Sequence, residues 1–163
     1  MPKAVYILED DIGLRSTLYD FLKQKGYEVS AYADPSFCPL SEVASCKCNC
    51  QNPCADFIIT DIKMPGMTGL KFVELQKEKN CKVPHIATMS ATWTDHEYLQ
   101  AKELGCKVFE KPFNFNDPIQ WIKHCEENTF YPANESNFCN HYLLLNRKRS
   151  IHAPDKSDSS KTF

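Results

Sequence analysis

Carboxylates follow two short apolar segments of this sequence, at points where strands are expected to end. Glu9, Asp10 and Asp11 come directly after the segment Ala4–Leu8, and Asp61 ends a second apolar run. Adjacent carboxylates repel one another unless a cation or hydrogen bonds compensate their charge. We expect Asp11 to cap the following helix, which leaves Glu9, Asp10 and Asp61 as an oxygen-rich cluster suited to Mg²⁺.

Asp61 is the residue around which this cluster is organised. The run from Phe57 to Thr60 is dense in branched and aromatic side chains, which is typical of a strand buried on both faces of a parallel sheet. Pro65 and Gly66 break the strand shortly after Asp61. Ligands of open α/β sheets bind outside the carboxyl ends of the strands, so this position favours a chemical role. The simpler alternative is that Asp61 only caps the Pro-Gly turn.

The rest of the chain supplies alternating segments that can bring these side chains together. Strands are predicted at residues 4–8, 28–32, 57–60, 85–89 and 108–110. Helices are predicted at 13–26, 69–77, 94–105 and from 117 onwards, with one or two helical turns around residues 40–44. This alternation predicts an α/β fold, in which a doubly wound five-stranded parallel sheet lies in the middle of three α/β/α layers.

Two further polar residues follow the last two strands. Ser90 follows the fourth strand and Lys111 follows the fifth. A hydroxyl group, an ammonium group and acidic residues around one aspartate are what the transfer of a phosphoryl group to a carboxylate requires. The acids would hold Mg²⁺, Lys111 and Ser90 would contact the phosphoryl oxygens, and Asp61 would attack phosphorus in line.

Four short motifs at these strand ends are similar to the signatures of a known family. They are Leu8-Glu-Asp-Asp11, Thr60-Asp-Ile-Lys-Met-Pro-Gly-Met-Thr-Gly69, Met89-Ser-Ala91 and Glu110-Lys-Pro-Phe113. Each motif alone is weak evidence, but the four in order resemble the receiver domain of two-component response regulators. The resemblance covers about residues 3–127 and implies a flavodoxin-like sheet with strand order 2-1-3-4-5.

The resemblance implies that Asp61 is a phosphoacceptor. Lys111 would hold the phosphoryl group and Ser90 would be the switch hydroxyl. The donor would be a sensor histidine kinase or a phosphotransfer protein of a phosphorelay, and phosphorylation would change the contacts with a downstream protein. Such a domain promotes its own phosphorylation and dephosphorylation, but it is a signalling switch rather than an enzyme.

The resemblance also implies how Mg²⁺ is bound. Asp10 and Asp61 would be direct ligands, and the main-chain carbonyl of Lys63 would complete the protein ligands. Glu9 would reach the ion through water. This all-oxygen set is the kind that Mg²⁺ prefers.

Phosphohydrolases of the haloacid-dehalogenase type are an alternative, because they also use an aspartate nucleophile with Mg²⁺. Those enzymes share a second aspartate two residues after the nucleophile, and this aspartate acts as general acid and base. Lys63 occupies that position here, and no cap domain is recognisable. This alternative is therefore the weaker one.

The resemblance predicts one receiver domain over residues 1–127, with a cysteine-rich insertion at 38–54 in place of much of the second helix. Residues 128–163 are predicted to form a partly disordered C-terminal extension, too short for a linked DNA-binding output domain. We therefore expect action by protein–protein contact, without direct nucleic-acid binding. The segment from Gly105 to Lys111 is one residue shorter than in the family. This puts Val108 where the family has a switch aromatic and leaves Phe109 as its candidate replacement.

The composition supports the same view. A formal net charge of −2 on 163 residues gives no support to broad electrostatic binding of nucleic acid or membranes. The sequence shows no secretory signal and no apolar run of about 20 residues. We expect a cytoplasmic protein whose nine cysteines are thiols or metal ligands rather than disulfides.

The insertion contains a cluster of cysteines that suggests a second metal site. Cys46, Cys48, Cys50 and Cys54 are close enough in sequence to bind one ion, and Cys38 could replace any of them. Thiolates favour Zn²⁺, Cu(I) or an iron–sulfur cluster, and a small exposed site favours Zn²⁺ over iron–sulfur. The alternating spacing matches neither common zinc nor ferredoxin motifs, so a surface loop of reduced thiols is the leading alternative. A metal- or redox-sensing module of this kind could coexist with the receiver.

Overall fold

The computed structural model describes residues 2–42, 46, 48–49 and 51–128. The strands are β1 (Ala4–Leu8), β2 (Glu28–Tyr32), β3 (Phe57–Asp61), β4 (His85–Ser90) and β5 (Lys107–Glu110). The helices are α1 (Ile12–Gln24), α2 (Gly69–Glu78), α3 (Asp95–Glu103) and α4 (Asn116–Asn128). None of these helices has the length and apolar character that a membrane span needs. The predicted C-terminal extension lies, after Asn128, outside the described residues.

The five strands form one parallel sheet in the order β2-β1-β3-β4-β5. The register pairs Leu8 of β1 with Thr60 of β3, and Asp61 of β3 with Met89 of β4. The carboxyl ends of three central strands therefore meet at one edge of the sheet. The prediction of a doubly wound parallel sheet with order 2-1-3-4-5 is confirmed.

Apolar side chains of successive strand residues alternate between two cores, one on each face of the sheet. Ile7 packs with Leu18 of α1 and Ile122 of α4 on one face. Leu8 packs on the opposite face with α2 and α3, through residues that include Val73. Burial of both faces produces the predicted three layers, because the apolar side chains of the central strands are then covered on either side of the sheet.

The helical turns predicted around residues 40–44 begin earlier than expected. Two short 3₁₀ helices, Pro35–Phe37 and Pro39–Ser41, stand where the alternation would place a second helix. Each begins with a proline, whose fixed φ suits a first helical position, and the Asp34 side chain accepts a hydrogen bond from the Ser36 N–H. Cys38 lies between the two 3₁₀ helices and is fully buried. Residues 43 and 44 lie outside the described part of the chain.

The segment after Asp61 returns so close to β3 that Gly69 has no room for a side chain. A Cβ atom on Gly69 would lie 2.0 Å from the main-chain oxygen of Asp61 and 2.8 Å from Thr60 Oγ1. The Gly69 N–H also donates to the Ile62 carbonyl over 2.9 Å. The first residue of α2 therefore supports the end of β3 directly, and with it the position of Asp61.

We expect Gly69→Ala to lower the free energy of unfolding by about 1–3 kcal/mol, because the added Cβ overpacks the backbone of β3. Denaturant unfolding measures this change. Gly13→Ala is the matched control, since a Cβ there meets only Asp11 Oδ1, at 3.3 Å, and alanine favours the helix. Equal unfolding free energies for the two variants would contradict the close approach at Gly69.

Candidate functional site

The Lys111 ammonium group lies between two buried carboxylates at the carboxyl edge of the sheet. Its Nζ is 2.7 Å from Glu9 Oε2 and 3.3 Å from Asp61 Oδ1. The three side chains follow β5, follow β1 and end β3, so the order of the strands brings them together. The side chain of Lys111 is 19% exposed, whereas those of Glu9 and Asp61 are 1% and 7% exposed. The pairs are therefore much less screened by solvent than surface ion pairs.

Glu9 is a buried carboxylate held by two donors. Lys111 donates to Oε2, and the Asp11 N–H donates to Oε1 over 3.1 Å. Burial raises the pKa of Glu9 to about 7, although these two hydrogen bonds act in the opposite direction. Burial also works against the charge of Lys111, but the hydrogen bond to Glu9 and the attraction of both carboxylates raise its pKa.

Glu9, Asp10 and Asp61 form a set of oxygen ligands. One carboxylate oxygen from each lies within 4.8 Å of the others, with Asp10 exposed and the other two buried. Burial raises the pKa of Asp61, the Lys111 charge lowers it, and the Asp10 charge raises it again. The cluster therefore carries more negative charge than Lys111 alone compensates, and the set fits Mg²⁺ in both ligand chemistry and charge. The carbonyl of Lys63 as a further ligand stays a prediction.

Ser90 ends β4 beside this cluster and is almost fully buried. Its hydroxyl accepts from the Thr92 N–H over 3.2 Å and donates to the Thr92 carbonyl over 3.1 Å. The Ser90 carbonyl accepts from the Lys111 N–H over 2.9 Å. Ser90 is thus joined both to the Lys111 backbone and to the loop that leads into α3.

Arg15 is a supporting residue that the sequence reasoning missed. Its Nη1 donates to the main-chain oxygens of Glu9, over 2.7 Å, and of Asp10, over 3.2 Å. These bonds hold the loop between β1 and α1, which carries two of the three carboxylates. The only sequence signal is a basic residue in the first turn of the following helix, which is too common to predict such a contact.

The aromatic side chains near β5 lie on both faces of the sheet, and their positions bear on whether Phe109 can replace the switch aromatic. Phe109 is buried against the rings of Phe113 and Trp121 on the face of the sheet that packs against α4. Val108 packs on the other face, together with the partly buried Trp93. Since successive strand residues point to opposite faces, Phe109 does not take the place that Val108 occupies. The aromatic group on the α3 side is Trp93, whose Nε1 donates to the Phe109 carbonyl over 3.3 Å.

Lys63 points to α3 rather than into the carboxylate cluster. Its Nζ lies 3.7 Å from Glu97 Oε1, and the Lys63 side chain is 51% exposed. Glu97 also accepts from the Thr94 N–H in the capping box that begins α3. A long, exposed pair of this kind contributes little stability, but it links the loop after Asp61 to α3.

The structure adds Cys81 to three of the four cysteines that the sequence predicted as a cluster. Cys46, Cys48 and Cys54 converge with Cys81, which lies between α2 and β4, and one Sγ from each lies within 4.8 Å of the others. Cys50 lies outside the described residues. Cys38 is not available to the cluster, because it is fully buried in the core under α2, and this burial raises its pKa to about 11. The prediction that it could serve as a substitute ligand was wrong.

The four clustered thiols are not electrostatically equivalent. Burial opposes the Cys48 thiolate, but hydrogen bonds from the Lys82 N–H and neighbouring thiols outweigh it and lower the pKa of Cys48 to about 7. Burial raises the pKa of Cys81 to about 11 and raises that of Cys54 as well. Without a cation, one thiolate is therefore favoured and opposes the ionisation of the others.

The raised pKa of Glu9 predicts how the stability of the metal-free protein changes with pH. Between pH 4.5 and about 7, folded Glu9 keeps a proton that the unfolded chain releases, so stability should fall as pH rises through this range. Glu9→Gln keeps an acceptor for Lys111 and should remove this contribution, which is on the order of 3 kcal/mol. Unfolding free energies of both proteins in chelator, measured from pH 4.5 to 8, give the difference. Parallel curves would contradict the raised pKa.

Two solved structures with a similar fold show what this chain resembles. The chemotaxis protein CheY4 of Vibrio cholerae matches with a TM-score of 0.62 and 25% identity, covering 76% of this chain and 98% of its own. The non-phosphorylated HemR receiver domain of Leptospira biflexa matches with a TM-score of 0.66 and 22% identity, covering 82% of this chain and 100% of its own. At 22% identity, the similarity to the HemR receiver domain indicates a shared fold only.

Two sequence comparisons bear on the family. The transcriptional regulatory protein FixJ of Azorhizobium caulinodans is 31% identical over 120 residues, which cover 70% of this chain. They cover 51% of FixJ, so the chain spans about half the length of this relative. Residues 5–123 match the response regulator receiver domain family. The chain therefore belongs to that family, whose members are phosphoryl-accepting signalling switches of two-component systems.

Proposed function

We propose that this receiver domain accepts a phosphoryl group on Asp61, with a histidine kinase or a phosphotransfer protein as the donor. The observation that supports this most directly is the position of Lys111, with Nζ 3.3 Å from Asp61 Oδ1 at the carboxyl edge of the sheet. An ammonium group there can bind a phosphoryl oxygen as soon as the group is attached to Asp61. Receiver domains interact with histidine kinases or phosphotransfer proteins.

The transfer requires in-line attack by an Asp61 carboxylate oxygen on phosphorus. The new oxygen–phosphorus bond forms as the bond from phosphorus to the donor atom breaks, and the donor leaves with the electron pair of that bond. Lys111 would then exchange its contact with Asp61 for one with a phosphoryl oxygen, while keeping its hydrogen bond to Glu9. Ser90 would offer its hydroxyl to a second phosphoryl oxygen.

Mg²⁺ would be held by Asp10, Asp61 and the main-chain carbonyl of Lys63, with Glu9 reaching it through water. Receiver domains bind Mg²⁺ at an acidic site of this kind. When bound, the ion neutralises negative charge on the phosphoryl group and the carboxylates. The Asp11 N–H and the Arg15 side chain would hold the loop that presents Glu9 and Asp10 to the ion.

The phosphohydrolase alternative gains no support from the site. Lys63 stands where that class needs its second aspartate, and its side chain pairs with Glu97 at 3.7 Å. An ammonium group that is paired with a carboxylate cannot act as the general base that a hydrolase requires. The signalling reading is the better supported one.

We expect the protein to gain one phosphoryl group when it is incubated with Mg²⁺ and acetyl phosphate. Intact-mass measurement detects the added group, and peptide mapping after borohydride reduction of the acyl phosphate locates it at Asp61. Asp61→Asn should abolish the gain, because an amide is not a nucleophile, and Asp10→Asn should slow it through weaker Mg²⁺ binding.

Asp11→Asn is the matched control for these variants. Asp11 caps α1 by accepting from the Leu14 N–H over 2.7 Å, and asparagine is an equally good cap. This variant should therefore be phosphorylated like the wild type. Phosphorylation that persists in Asp61→Asn, or that is lost equally in Asp11→Asn, would contradict the roles proposed for Asp61 and Asp10.

The phosphorylation signal would leave the site through the loop between β4 and α3. Ser90 binds the backbone of Thr92, and Trp93 follows directly, joined to β5 through the Phe109 carbonyl. A move of the Ser90 hydroxyl towards a phosphoryl group would break its bonds to Thr92 and shift Trp93 with the loop. The domain would in this way change the surface of α3 and β5 that it offers to a downstream protein.

We expect the fluorescence of Trp93 to report this switch. The chain contains two tryptophans, so Trp121→Phe leaves Trp93 as the sole reporter. Acetyl phosphate with Mg²⁺ should change its emission. Adding Ser90→Ala in this background should leave phosphorylation intact, as judged by intact mass, and remove most of the emission change. An equal change in both proteins would contradict the role of Ser90.

The cysteine cluster supports a second candidate function, which is metal or redox sensing. It is favoured by the convergence of four thiols rather than by the sequence spacing alone. The cluster lies beyond the last residue of α2, whereas Asp61 contacts the first residue of that helix. The two functions are therefore compatible in one domain.

A further inference from the structure

Four cysteine sulfurs form a compact group beside the loop between α2 and β4. Cys46 Sγ is 3.1 Å from Cys48 Sγ and 3.3 Å from Cys54 Sγ, and Cys48 Sγ is 3.9 Å from Cys81 Sγ. All four Sγ atoms lie within 4.8 Å of one another. Three of the cysteines belong to the insertion, and Cys81 belongs to the body of the domain.

Main-chain hydrogen bonds hold the two segments in this arrangement. The Cys46 N–H donates to the Lys79 carbonyl over 3.1 Å, and the Lys82 N–H donates to Cys48 Sγ over 3.1 Å. Between Cys48 and Cys54, Asn49 and Asn52 lie close together, with Asn49 Oδ1 accepting from the Asn52 N–H over 2.8 Å. The sulfurs are thus directed to one point by backbone contacts on both sides.

The sulfur–sulfur distances match the geometry of one tetrahedral ion better than that of a disulfide. A disulfide bond is about 2.05 Å long, and the shortest distance in this group is 3.1 Å. Four thiolates at the usual zinc–sulfur distance of about 2.3 Å are separated by roughly 3.8 Å. The distances of 3.1, 3.3 and 3.9 Å require only small side-chain movements to reach that value.

We propose that Cys46, Cys48, Cys54 and Cys81 bind one structural Zn²⁺ ion, which fastens the cysteine-rich insertion to the loop after α2. Each thiol would lose its proton to solvent as it binds the ion. The Lys82 N–H would then donate to a zinc-bound sulfur, which is the kind of outer contact that orients a metal ligand.

The ligand set favours Zn²⁺ over the other metals that thiolates bind. Four protein sulfurs fill the tetrahedral shell of Zn²⁺ completely, as in structural zinc sites, and leave no open position for catalysis. A [2Fe–2S] or [4Fe–4S] cluster also takes four cysteines, but it spreads them around several atoms. The contact of Cys46 Sγ with both Cys48 Sγ and Cys54 Sγ, at 3.1 and 3.3 Å, leaves room for a single ion only.

The ion would replace the apolar contacts that a second helix normally provides. After the two 3₁₀ helices, the described part of the insertion buries few apolar side chains, and its cysteines are half-buried. Zinc binding can supply the folding free energy that such a segment lacks. Zinc removal should therefore loosen the insertion first and leave the parallel sheet intact.

Metal analysis of protein purified under reducing, anaerobic conditions tests the proposal. The wild type should contain one zinc per chain, and Co²⁺ exchanged into it should show the absorption of tetrahedral thiolate coordination. Cys81→Ser and Cys48→Ser should each lose the stoichiometric zinc. Cys125→Ser is the matched control, because Cys125 is half-buried on α4, and it should retain one zinc.

Cys50→Ser separates this ligand set from the one that the sequence spacing alone suggests. It should retain one zinc, whereas retention in Cys81→Ser with loss in Cys50→Ser would overturn the assignment of Cys81. Iron with inorganic sulfide in place of zinc would overturn the choice of metal. Wild-type protein without stoichiometric metal, whether its thiols are reduced or paired in a disulfide by intact mass, would overturn the site.

Two further measurements keep these outcomes distinct from a general loss of folding. Chelation of zinc should make the insertion sensitive to limited proteolysis, and added Zn²⁺ should reverse this in the wild type but not in Cys81→Ser. Phosphorylation of Asp61 by acetyl phosphate should continue in Cys81→Ser, since the cluster and Asp61 are at opposite ends of α2. A Cys81→Ser protein that is also not phosphorylated has lost its fold. Cys48→Ser, measured in the same way, then tests the proposal.

Discussion

The ion pairs of Lys111 with Glu9 and Asp61 are the interaction on which the active edge of this domain depends. Two carboxylates are buried there, and burial alone would drive both towards the protonated form. The Lys111 ammonium group compensates their charge, with its Nζ 2.7 Å from Glu9 Oε2 and 3.3 Å from Asp61 Oδ1. The remaining negative charge, increased by Asp10, suits the cluster to receive a divalent cation. The parallel strand order makes this possible, because it brings the ends of β1, β3 and β5 to the same edge.

Helix α2 connects the two clusters of ionisable groups in this protein. Its first residue, Gly69, lies against the Asp61 backbone so closely that no side chain fits. Cys81, shortly after its last turn, lies among three cysteines of the insertion. Both clusters gather groups that repel one another when they are ionised, and a bound cation would offset this repulsion in each. The carboxylates, as hard oxygen ligands, suit Mg²⁺, whereas the thiolates suit Zn²⁺.

Hydrogen bonds of the loop before α3 connect the end of β4 to β5 and would carry the proposed signal from Asp61 to the surface. Ser90 contacts the backbone on both of its sides, through Thr92 and through Lys111. Trp93 continues this connection by donating to the Phe109 carbonyl. Phe109 is buried in the core beneath α4, where its ring contacts that of Trp121. A shift of Ser90 therefore has Trp93, rather than Phe109, as its nearest aromatic reporter on the α3 side.

The strands, the order of the elements along the chain and the carboxylate edge could be predicted from the sequence, because they depend on local patterns. An apolar run that ends in Asp61, and a strand followed by Lys111, place both residues at the same edge of any parallel sheet. The approach of Cys81 to the insertion could not be predicted, because Cys81 is remote from it in sequence, and neither could the burial of Cys38, which lies within it. Tertiary structure also decided the Arg15 contacts and the side to which Phe109 points. Such choices depend on how segments pack across the sheet, and no local spacing encodes that packing.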